Sequence, residues 1–327
     1  MGRPRTRPVP VRPSSHHSTV SDVPPGTNAG DATVPDRIHV VDVTASRAGH
    51  VGALPVRRAL PRRGRRLVGP WCFVDHMGPA PISAPRGLDI APHPHMGLQT
   101  VTWLVQGEAL HRDSLGSQQI IRPGELNLMT AGHGVAHSEE GTENYDGELH
   151  GVQLWIAQPD TTRNAPPAFE HHAALPQVEL DHGVATVLIG RLDDAVSPAR
   201  RDTDHVGVDL SLRAGSTTLA LRNDVEYALI VLHGAAHIDG HVIEPGYLAY
   251  LGIGRTELGL VAREPTRALL FGGVPLDEPV MMWWNYVART RQEILEAHRS
   301  WLADDGRFGR VASPLARIEV PPPPWAS

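Results

Sequence analysis

Two histidines one residue apart, in His93-Pro94-His95, and a histidine and a glutamate at the same spacing, in His137-Ser138-Glu139, are the side chains of this sequence best placed to do chemistry. Together they offer three imidazoles and one carboxylate. In an extended strand, side chains two apart project from one face, so each pair can aim both of its ligating atoms into a single cavity. Imidazole and carboxylate are borderline ligands that accept Fe(II), Ni, Mn, Cu or Zn, whereas structural zinc favours thiolates and calcium favours many oxygens. One divalent metal ion inside a sheet is the economical reading. The plain alternative is that some of the 19 histidines fall at this spacing as exposed or hydrogen-bonded residues. The segment between the two pairs argues for the site.

That segment must bring the pairs together, and it reads as strands and turns without room for a helix. TVTWLV (100 to 105) is followed by Gly107, the polar stretch HRDSLGS (111 to 117), QQIIRPGELNLMT (118 to 130) and the glycine-bracketed AGHGVAHSEE (131 to 140). Arg122-Pro123-Gly124 has Pro and Gly where a type II turn needs them. The ligand pairs are therefore expected on different strands of one β-barrel. After about residue 160, PDTTRNAPPAFEHH has the composition of a linker. Strands then resume at VATVLIG (184 to 190) and continue through GVDLSL, TTLAL, EYALIVLHG and GYLAYL to RALLFGG, which ends at residue 273. IEPG (243 to 246) echoes IRPG (121 to 124), as in a duplicated barrel. No His-x-His or His-x-Glu pair recurs there, so the second barrel is expected to lack a metal and to act as scaffold or wall. Val287, Arg291, Ile294, Leu295, His298, Trp301 and Leu302 follow helical spacing, with Thr290 and Glu293 placed as a capping box.

Composition bounds the rest. The 327 residues are long enough for two cores, 41% are apolar, and Gly and Pro are frequent, as suits many short strands. The single cysteine, Cys72, permits no internal disulfide and lies in the apolar run GPWCFV, where a buried thiol is expected. All 30 basic residues are arginines, which excludes a lysine Schiff base or lysine base. RRALPRRGRR (57 to 66) could contact phosphate, but with a net charge of −6 nucleic-acid binding is not expected. No stretch reaches the roughly 18 apolar residues of a membrane span. The chain is expected to be soluble, cytoplasmic and monomeric.

The string HPHMGLQTVTWLVQGEALHRDSLGSQQIIRPGELNLMTAGHGVAHSEE, together with GGVPLDEPV (272 to 280) and the helical segment after it, resembles the pirin family of the cupin superfamily. The likeness runs from about Arg37 to about Gly309. It implies an all-β fold of two tandem cupin-type, jelly-roll β-barrels with a C-terminal helix, and a metal held by His93, His95, His137 and Glu139. The expected organisation is a disordered extension (1–36), a metal-binding barrel (37–160), a linker (161–176), a second barrel (177–279), a helical segment (280–311) and an extended tail (312–327). Two positions depart from the common family pattern. Gln99 stands where many members have Glu, and His133 where many have Arg. Gln cannot act as a carboxylate base, so base chemistry would fall to Glu139 or to a metal-bound oxygen. His133 reads either as a further donor near the metal or as a surface histidine.

The resemblance implies two functions of different class. Some pirins are similar to quercetin dioxygenases, which open the flavonol ring with release of carbon monoxide. On that reading a flavonol or similar small aromatic is the substrate, Fe(II) is the first choice of metal, and Glu139 is a ligand able to swing away and take the flavonol hydroxyl proton. Met96, Leu98, Trp103, Leu128 and Met129 are candidates to line the pocket, although alternation lets only some point inward. The other implied function is a non-enzymatic, iron-dependent redox sensor or transcriptional coregulator acting on a regulatory protein. Occupancy by Zn would make the site redox-silent.

Overall fold

Period-two alternation of apolar residues, broken by turn glycines, builds the molecule from two similar halves. The computed structural model describes residues 41–83 and 88–326; the extension expected at residues 1–36 lies outside them. In the first half a seven-stranded sheet runs in the order Ala168–His172, Leu126–Thr130, Leu98–Gln106, Gly147–Ala157, Trp71–Ile82, Leu54–Leu60, Arg47–Val51. Its companion is a four-stranded sheet of Ile90–His95, Val135–Glu140, Ala109–Asp113 and Gln118–Ile121. The second half repeats the plan, with a seven-stranded sheet from Asp42–Ala45 to Gln177–Leu180 and a four-stranded sheet of Gly215–Ala220, Glu257–Ala262, Ala236–Ile238 and His241–Ile243. These are two tandem cupin-type barrels.

The strand Leu98–Gln106 is buried on both faces, and its alternation shows how one core becomes two. Val101 and Trp103 point out of the first barrel into an apolar cluster shared with Ile189, Ile230, Leu269 and Phe271 of the second. Leu98 and Leu104, of opposite parity, belong to clusters of the first barrel. Trp71 joins the barrels: it is fully buried, its indole Nε1 donates to the Gly272 carbonyl at 2.9 Å, and its ring meets Phe271 edge-on at 5.8 Å.

Turn chemistry follows the sequence reading. Gly124 has φ +89°, with the Glu125 amide donating to the Arg122 carbonyl at 3.1 Å, and the repeat turn has Gly246 at φ +97° with Tyr247 donating to Glu244 at 3.2 Å. Both glycines occupy the left-handed region that type II geometry requires.

Two segments lie elsewhere than their composition suggests. Asp42–Ala45 does not join the first barrel but pairs antiparallel with Tyr247–Gly252 at the edge of the second. Within 161–176, expected as a linker, Ala168–His172 pairs with Leu126–Thr130 as an edge strand of the first sheet. The Pro, Asp and Asn that read as linker form only the turn before it, where the Thr162 and Arg163 amides donate to the Pro159 carbonyl.

After the second barrel, a hairpin of Met281–Trp283 and Tyr286–Ala288 returns to the first barrel, where the Val287 amide donates to the Met96 carbonyl at 3.0 Å. The helix spans Arg291–Ala303, and Thr290 caps it by accepting from the Glu293 amide at 3.2 Å. Glu293 accepts from the Arg289 amide at 3.0 Å, one residue before the position a capping box would use. Ile294, Ala297, His298 and Trp301 form the buried stripe, while Leu302 is 60% exposed, because one residue past Trp301 turns it about 100° away. The tail folds back on this helix, with Trp301 Nε1 donating to the Ile318 carbonyl at 3.0 Å and the Arg317 guanidinium 3.6 Å from the Trp301 ring centroid. Among the described residues, no helix is long and apolar enough to cross a membrane.

Candidate metal centre

The strands Ile90–His95 and Val135–Glu140 are antiparallel neighbours, with His93 opposite His137. This register stacks three buried imidazoles on the inner face of the four-stranded sheet. One ring nitrogen from each of His93, His95 and His137 lies within 4.8 Å of the others, and the Nε2 atoms of His95 and His137 are 3.0 Å apart. Burial pushes all three imidazoles toward the neutral form, His93 down to about 4 and the other two well below the usual histidine range. Neutral imidazole is the form that binds metal.

Hydrogen bonds fix which nitrogen faces the cluster. His93 Nδ1 lies 2.8 Å from the Ala91 carbonyl, which can only accept, so the proton is on Nδ1 and the Nε2 lone pair is free. A longer chain stands behind His137. The Asp113 carboxylate accepts from His111 Nε2 at 3.0 Å, and His111 Nδ1 lies 3.4 Å from His137 Nδ1. With its Nε2 hydrogen directed at Asp113, His111 presents its Nδ1 to the Nδ1 proton of His137, which leaves His137 Nε2 bare toward the cluster. Burial opposes ionisation of Asp113, but hydrogen bonds from His111 and Ser117 outweigh it and hold the carboxyl below its usual range. Phe169, on the edge strand from the supposed linker, stacks on the His111 ring at 4.3 Å. Converging neutral imidazoles, with the outward nitrogens of His93 and His137 held by Ala91 and His111, are the donor set a divalent first-row metal requires.

Glu139 stands outside this cluster. The register shifts between His137 and Glu139, and the carboxylate reaches across the barrel toward Thr102, whose hydroxyl lies 3.5 Å from it. That hydroxyl has one proton and is closer to Gln153 Oε1, at 2.9 Å, so Glu139 is weakly held. Burial raises its carboxyl to about 7.

The surrounding wall is aromatic. The Trp155 ring meets His95 edge-on at 5.2 Å and stacks on Phe73 at 3.9 Å; Trp284, from the C-terminal hairpin, approaches His93 at 6.5 Å. The Arg58 guanidinium lies 4.4 Å from the Phe73 ring centroid and grips Asp75 with two hydrogen bonds of 2.8 and 2.7 Å.

Of the apolar lining candidates, Leu98 and Met129 belong to the cluster that contains Trp155. Met96 packs under the C-terminal segment, and Trp103 and Leu128 face the second barrel. Gln99 is paired in register with Thr130 and donates to its hydroxyl at 3.0 Å. By strand parity Gln99 shares the face of Val101 and Trp103, away from Thr102 and the imidazoles, so this departure leaves the site chemistry untouched. His133 is exposed in its loop, with Nδ1 3.2 Å from the Ala165 carbonyl, and is no ligand. His111, Asp113, Thr102 and Trp284 were not foreseen. His111-Arg112-Asp113 carried the signal, since it has the same one-residue spacing as the two ligand pairs.

Comparison with known proteins agrees with this geometry. The family model described as Pirin matches residues 53–156, and the one described as Pirin C-terminal cupin domain matches residues 207–309. A Pseudomonas aeruginosa protein named provisionally as a quercetin 2,3-dioxygenase is 44% identical over 290 residues, covering 88% of this chain and 92% of its own. A Caulobacter vibrioides pirin-like protein is 36% identical over 265 residues, 79% of this chain and 91% of its own. The crystal structure of a quercetin 2,3-dioxygenase from Acinetobacter baumannii superposes with a TM-score of 0.85 at 42% identity, over 88% of this chain and 97% of that one.

Proposed function

Since the chain belongs to the pirin family, we propose that it is a flavonol dioxygenase of the quercetin 2,3-dioxygenase type, with Fe(II) in the three-histidine centre and Glu139 as fourth ligand and base. The observation that carries the proposal is the convergence of three neutral imidazoles beside a buried, loosely held carboxyl. The relatives named for this activity support it.

A redox-active divalent metal in such a site supplies a Lewis acid for a chelating enediol and one-electron chemistry toward dioxygen. The protein supplies the rest. His93 and His137 present bare Nε2 atoms because Ala91 and His111 occupy their other nitrogens. Trp155 and Trp284 limit water around the rings, which strengthens electrostatic interactions there. Glu139, raised to about 7 by burial, is matched to accept the flavonol hydroxyl proton near neutral pH, and its weak contact with Thr102 lets it move to that proton.

The test is Glu139→Gln. This variant is expected to keep its fold and its metal while quercetin-dependent oxygen uptake falls by 100-fold or more, about the contribution of a positioned base. Unchanged uptake would remove Glu139 from the reaction.

A further inference from the structure

Among the described residues, the second barrel has no counterpart of the three-histidine cluster, yet a cavity of about 600 Å³ opens at its mouth. The mouth is the end where Gly183–Ile189 and Gly215–Ala220 finish and where His205–Leu212 and Glu226–His233 begin. Leu192, Val206, Val208, Val225 and Leu270 line it, and all five belong to the apolar core of this barrel. The cavity thus continues the barrel interior and does not lie between the two barrels. Barrel mouths of this kind are common places for small-molecule sites, which run to roughly 300–1,000 Å³.

The charges around the cavity cancel. Arg201 and Arg222 both pair with Asp204, and Arg222 also grips Asp224 with hydrogen bonds of 3.0 and 2.6 Å. Arg191 and Asp193 add one charge of each sign to the rim. Matched charges give little net field to draw in an ion, and a guanidinium already holding a carboxylate would have to release it to take another anion.

Deeper in, Tyr227 stands among the aliphatic side chains. It shares strand parity with Leu229 and Val231, which belong to the same core, so its ring faces into the barrel. The phenol oxygen accepts from the Arg222 amide at 3.2 Å, and burial raises the group, so it keeps its proton at neutral pH. No hydrogen bond among the described residues takes that proton. Ser197, also in the lining, is already spent: its hydroxyl donates to the Leu188 carbonyl at 2.8 Å and accepts from the Ala199 amide at 3.2 Å. The cavity therefore offers apolar walls, a balanced rim and one oriented O–H donor.

We propose that the mouth of the second barrel binds a neutral, largely apolar small molecule of fused-ring size, whose carbonyl or ether oxygen accepts a hydrogen bond from Tyr227. The aliphatic walls supply the affinity by taking ring surface out of water, and Tyr227 sets the orientation. This site is separate from the metal centre and does not depend on the dioxygenase reading.

Two probes of similar shape, neutral 2-acetylnaphthalene and anionic 2-naphthoate, titrated calorimetrically into the full-length protein, test the proposal. One 2-acetylnaphthalene per chain is expected, with 2-naphthoate bound about tenfold more weakly because its carboxylate would lose water without gaining a free counter-charge. Tyr227→Phe should weaken 2-acetylnaphthalene about fivefold, the worth of one hydrogen bond. Ala220→Trp, at an exposed position of the lining, should weaken it about tenfold by filling the mouth. Affinity should be unchanged in the His93→Ala/His95→Ala double variant. Absence of saturable binding, or wild-type affinity in either Tyr227→Phe or Ala220→Trp, would overturn the proposal. So would tighter binding of 2-naphthoate than of 2-acetylnaphthalene, or loss of binding in the double histidine variant, which would place the probe at the metal centre.

Discussion

His137 is oriented from behind by His111, which stands outside the three-histidine cluster. The Asp113 carboxylate accepts a hydrogen bond from His111 Nε2, which makes His111 Nδ1 the acceptor for His137 and leaves His137 Nε2 facing the cluster. Groups that fix a ligand's tautomer in this way are worth about 10- to 100-fold in metal affinity. The variant His111→Phe keeps a ring to stack on Phe169 and removes both the acceptor for His137 and the donor to Asp113. It is expected to retain the fold and to lose metal affinity by that factor, measured by chelator competition; unchanged affinity would deny His111 its role. The ligand histidines could be read from the sequence because a one-residue spacing in a strand places both side chains on one face. His111 and Asp113 share that spacing, yet their task depends on Val135–Glu140 lying between them and the His93 strand, a fact of strand order and not of local pattern.

Among elements, the turn after His95 is the most constrained part of the site. Gly97 sits at φ +68°, and a Cβ there would collide with the Val287 carbonyl oxygen of the C-terminal hairpin. Its own amide donates to the Gly132 carbonyl at 2.8 Å, tying the turn after one ligand strand to the loop before the other. Gly97→Ala is therefore expected to cost more than about 1 kcal/mol, since it adds left-handed strain to a backbone collision. A urea midpoint equal to that of the wild type would contradict this. Turns such as Arg122-Pro123-Gly124 were legible because their chemistry is local. The pairing of Asp42–Ala45 with Tyr247–Gly252 was not, because residues about two hundred positions apart leave no periodic trace. The strand Ala168–His172 was hidden by the Pro and Asp of the turn before it, and Leu302 by sharing the apolar character of the true helix stripe.

At the scale of the whole molecule, the two barrels are joined by a shared apolar core in which Trp71, Trp103 and Phe271 meet, and neutral histidines are buried beside it. Burial depresses His205, which packs on Trp71, and His76, which bonds His150 at 2.8 Å, to about 3 from 6.5. Above pH 6.5 these groups are neutral in both folded and unfolded chains and carry no penalty. Below it the unfolded chain takes up protons that the folded one refuses, so stability falls by about 1.4 kcal/mol per pH unit per group, down to a pH near 3. Urea midpoints should accordingly drop between pH 7 and pH 5, and equal midpoints would contradict the burial of neutral imidazoles. The two-barrel plan itself was visible in the repeated IRPG and IEPG turns and in the matching runs of strands, whereas the depth of the joint between the barrels follows only from strand faces in three dimensions. The proposal joins a metal site at His93, His95 and His137 to oxygenation of a flavonol. It is tested most directly by oxygen uptake with quercetin after anaerobic Fe(II) loading, alongside metal analysis of wild type and the His93→Ala/His95→Ala variant. One metal per chain with quercetin-dependent oxygen consumption is expected in the wild type, and neither in the variant. Stoichiometric metal in the wild type without oxygen uptake would contradict the dioxygenase reading, and full metal content in the double variant would contradict the site.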